Sequence, residues 1–163
     1  MMIIQTRKRK GSVFDIPFII VFMFIFATTI IVSFTLINGY NDVMQTTDIP
    51  YDVSNYTQSG ITAVGTFDSG FVLLLGGLII STILSAFFIQ SHPAFFIVSL
   101  IALAIFIAIA VIFSNLYEEV ETSAELSSSA ANYPLISNIM SNLPIIVVAI
   151  GVGILIALYA KTR

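Results

Sequence analysis

The sequence predicts an all-α membrane protein with four transmembrane helices, and two observations carry that prediction. The first is composition: of 163 residues, 58% are hydrophobic and 9% charged, and the mean hydropathy is +1.03. A water-soluble domain carries roughly 25% charged residues, so this chain has too few to cover a surface facing water. The second is how the apolar residues are arranged. They form four runs, Ile16–Ile37, Phe71–Ile89, Ala94–Phe113 and Leu143–Ala160, none containing Asp, Glu, Lys, Arg or His. Each is close to the roughly 20 residues that a helix needs to cross a hydrocarbon core of about 30 Å. The runs lack the period-2 alternation of a barrel strand, and helices satisfy their own backbone in lipid.

The first run follows the basic cluster Arg7, Lys8, Arg9 and Lys10. It is too long for the apolar core of a secretory signal and no small-residue cleavage pattern follows it, so it is expected to be a retained anchor. Ser12 and Asp15 have the spacing of a capping box, and a carboxylate suits a helix N-terminus.

Runs two and three are separated only by Gln90, Ser91, His92 and Pro93, which forces an antiparallel hairpin. Pro93 fits the first turn of the third helix and biases His92 away from helical geometry. The lone histidine is therefore expected to be a turn residue, since it lacks the partners of a metal site or proton relay.

Charge sets the expected orientation. All six cations, Arg7, Lys8, Arg9, Lys10, Lys161 and Arg163, flank the first and last runs. The long loops 38–70 and 114–142 carry eight of the nine acids and no cation. By the positive-inside rule both termini and the His92 turn are cytoplasmic and both loops external, with Tyr40, Tyr117 and Tyr159 at interfacial depth. The loops are expected to hold short amphipathic helices in the outer interface, one over Val53, Tyr56, Ile61 and Val64, the other over Leu135, Ile136, Ile139, Met140 and Leu143. The acidic stretch Tyr117–Glu125 lacks the alternating oxygen ligands and glycine of a calcium loop and reads as a solvated extension of the third helix. Asn55 opens a glycosylation sequon, which matters only in a host that glycosylates that face.

Small residues four apart allow helices to approach closely in lipid. Gly77, Ser81 and Ser85 form such a ridge on the second run, Ala104 and Ala108 on the third, and Ala149, Gly153 and Ala157 on the fourth. The motif N-x-Y-x-[DE]-V recurs at Asn38–Val43 and Asn115–Val120, which raises a parallel repeat of 12–90 and 91–163. Otherwise the chain reads as one domain.

Function is less constrained. Transporters place ionisable groups within their spans, and an enzyme needs a nucleophile, base or metal set; the sequence presents neither pattern. There is no cysteine, and no cofactor or small-molecule substrate is expected. A structural or assembly protein needs only stable spans, a charged tail and loops for contacts. A holin-like pore former, or an accessory subunit of a cellular membrane complex, is the alternative. The order "GSVFD", "HPAFF", "SNLYEEV" and "NLP" around the spans resembles small four-span membrane proteins of tailless, membrane-containing icosahedral viruses of bacteria and archaea. That resemblance implies a virion component in the lipid vesicle beneath the capsid, without catalytic residues. Its expected partners are lipid, other copies of itself or other membrane proteins, and capsid proteins; no direct nucleic-acid binding is expected. The six cations would contact lipid headgroups or capsid.

Overall fold

A computed structural model describes residues 13–46, 59–87 and 93–160. Among them every regular element is helical: a short 3₁₀ turn, Val13–Asp15, then α1 (Ile16–Thr46), α2 (Phe67–Phe87), α3 (Pro93–Thr122), α4 (Ser127–Ala130), α5 (Pro134–Ser141) and α6 (Leu143–Ala160). Residues 59–65 are also helical and pass through a turn at Thr66 into α2. The helices carrying the four apolar runs are all long and apolar enough to cross a membrane, which makes this an integral membrane protein.

Proline marks where helices begin. Pro17, Pro93, Pro134 and Pro144 each occupy the first or second position of α1, α3, α5 and α6, where the missing N–H has no intrahelical partner to lose. Where the helices end departs from the apolar runs. α1 continues to Thr46 and α3 to Thr122, well beyond Ile37 and Phe113. Extending an existing helix costs far less than nucleating one, and no proline interrupts either stretch. At 1.5 Å per residue α1 and α3 are about 45 Å long, so each overruns a 30 Å core by roughly 15 Å. Much of the two predicted loops is therefore helix.

Side-chain contacts fix the direction of each helix. Phe14 and Phe24 meet Phe106 and Phe113 edge-on, with ring centroids 6.3 and 5.0 Å apart, so α1 and α3 run the same way. Phe96 lies near Tyr159 and Ser114 reaches Met140, so α6 runs opposite to α3. Asp68 reaches Ile136 and Ile83 lies against Gly153, so α2 runs with α6. The starts of α1 and α3 thus share one end of the bundle with the finishes of α2 and α6; the overruns, α4 and α5 share the other.

In the bundle α1 packs mainly on α3, α3 on α6, and α6 on α2. The core is the face Ile16, Ile20, Met23, Ala27 and Ile31 of α1 with Ala110 of α3 and Ile150, Ile154 and Ala157 of α6. α2 is peripheral: 17% of its membrane-length window is buried, against 39% for α1 and α6. It touches α1 chiefly through Phe26, which stacks on Phe71 with centroids 5.6 Å apart. The two halves of the proposed repeat thus pack differently inside, with α3 lying along α6 while α1 barely meets α2.

Candidate functional site

The polar side chains gather at one end, where residues 123–142 fold over the bundle, and α5 is the centre of that cluster. Eight residues are too few to hold a helix in water unaided. Its apolar face supplies one tie: Ile136, Met140 and the following Leu143 are completely buried, Ile139 is partly buried, and Leu135 faces outward. The predicted amphipathic helix is present here, and its apolar side turns onto the bundle.

The second tie is polar. A helix begins with backbone N–H groups that have no intrahelical acceptor. The residue at the N-cap of α5 is Tyr133, which makes no side-chain capping bond. The acceptor comes instead from α2. Ile136 N–H donates to Asp68 Oδ1 at 2.9 Å and Leu135 N–H to Asp68 Oδ2 at 3.3 Å. Asp68 is 9% exposed and also lies in the first turn of α2. One buried carboxylate therefore faces the positive end of α5, where negative charge is favoured.

The far end of α5 is satisfied from α3. Ser114 Oγ lies 3.0 Å from the Met140 carbonyl and 3.1 Å from that of Ser141, so its one hydroxyl proton is shared between the two acceptors. Midway, the hydroxyls of Tyr117 and Ser137 are 3.3 Å apart. In front of α5, Thr35 of α1 donates to Ser129 Oγ of α4 at 2.7 Å. Phe34 meets the Tyr133 ring edge-on with centroids 5.3 Å apart. Side chains from three spans thus hold one connecting segment.

Tyr133 is wholly buried, and its hydroxyl has no hydrogen-bond partner among the described residues. Burial, and then the Asp68 charge, raise its pKa from 10.0 to about 12. Among the described residues no group of three or more His, Cys, Asp or Glu side chains is gathered to hold a metal ion.

The predicted packing residues separate into two sets. Ala157 is fully buried in the core, and a methyl group on Gly153 would lie 3.1 Å from Ile83 Cδ1, so Gly153 sits where α2 meets α6. Gly77, Ser81, Ala104, Ala108 and Ala149 are exposed within one chain, and Ser85 is half-buried. A methyl group on Gly77 would meet nothing within 4 Å. Among the described glycines the tightest approach is at one that the four-residue spacing passes over: a methyl group on Gly151 would collide with Leu103 of α3. Pro93 opens α3 as expected. His92, Arg7, Lys8, Arg9, Lys10, Lys161, Arg163, Ser12, Val53, Asn55 and Tyr56 lie outside the described residues.

The sequence reading missed Asp68, Ser114, Tyr133 and Gly151. A local signal existed for Asp68: "NYP" before α5 offers no side chain of capping type at position 133, so the cap had to come from elsewhere. The chain matches no family model, no curated protein and no solved structure.

Proposed function

We propose that the chain is a non-enzymatic structural membrane protein, a component of the lipid vesicle beneath an icosahedral capsid that acts in membrane shaping or membrane–capsid assembly. One observation carries the reading. The 123–142 segment is tied to the bundle from several helices, with Asp68, Ser114, Tyr117 and Thr35 each bonded to it. Such an arrangement stiffens a scaffold. The virion assignment rests on the resemblance of the sequence around the spans. In this reading both termini face the cytoplasm before assembly and the α4–α5 end lies outside, as the positive-inside rule predicts from six cations that all precede α1 or follow α6 in sequence.

Isolation of the membrane-containing particles tests the proposal. The protein should copurify with intact particles and stay with the lipid vesicle when the capsid is stripped away. A purely cellular location would refute it. Dye leakage on high expression in a bacterium, without particles, would point to a holin-like pore former instead.

A further inference from the structure

We draw no further inference here: the strongest candidate, the apolar groove between α1 and the start of α2 lined by Phe26, Thr29, Ile30, Ser33, Val64 and Phe67, carries nothing because nothing in the structure shows what covers it.

Discussion

Asp68 and Tyr133 sit in one buried patch and respond oppositely to substitution. Removing the carboxylate in Asp68→Ala leaves the Leu135 and Ile136 N–H groups without their acceptor. Stranding buried donors costs about 1–3 kcal/mol, which should appear as a lower Tm in detergent and faster hydrogen exchange at those two amides. Asp68→Asn keeps one acceptor oxygen and should fall between wild type and Asp68→Ala. Equal stability of all three would show that α5 does not depend on this cap. Tyr133→Phe, by contrast, removes a buried hydroxyl that has no partner; the expected change at neutral pH is small, or a slight gain. The same substitution changes the response to alkali. With the folded pKa at about 12 and the unfolded value at 10.0, the unfolded chain loses this proton first. Tyr133 therefore costs no stability below pH 10, and stability falls as pH rises from 10 to 12. Unfolding of wild type and Tyr133→Phe across that range checks this: the mutant should lose less, and parallel curves would contradict it.

At the level of elements, α6 is the helix on which the bundle is organised. Gly151 and Gly153 are two residues apart, so they point about 200° away from each other around the helix. One admits Leu103 of α3 and the other Ile83 of α2. Gly151→Val should overpack the α3 contact and cost about 1–3 kcal/mol. Gly77→Ala, on an open face, should be neutral or gain up to about 1 kcal/mol of helix propensity. Thermal melts of the two variants give opposite expected signs, and equal losses would refute the contact. This pair shows what a sequence can and cannot convey about packing. Four-residue spacing marks a narrow ridge on one helix but not which helix comes to meet it. A glycine that faces a leucine on another element leaves no periodic trace. The apolar runs themselves were legible because lipid demands about 20 of them in a row. Their ends were not, because hydropathy registers the depth of the hydrocarbon while a helix continues as long as its own hydrogen bonds do. The docking of α5 was half legible: the spacing of Ile136, Met140 and Leu143 showed an apolar face, but its cap lies 67 and 68 residues away in sequence.

For the whole molecule, helix direction and charge agree. The contacts place Thr46, the start of α2 and the α4–α5 segment at one end of the bundle, and the starts of α1 and α3 at the other. In the sequence every cation comes shortly before α1 or just after α6, and the exposed acids Asp42, Glu118, Glu119 and Glu125 stand at the first end. By the positive-inside rule that charge order predicts a cytoplasmic side for the starts of α1 and α3 and an external side for the α4–α5 segment. Because the chain contains no cysteine, any cysteine introduced is its only thiol. Labelling with a membrane-impermeant maleimide in intact bacterial cells therefore tests the four-crossing arrangement directly. Asn41→Cys and Ser128→Cys should react in intact cells, and Lys10→Cys and Thr162→Cys only after permeabilisation. Labelling of all four in intact cells, or a different side for positions 41 and 128, would contradict it.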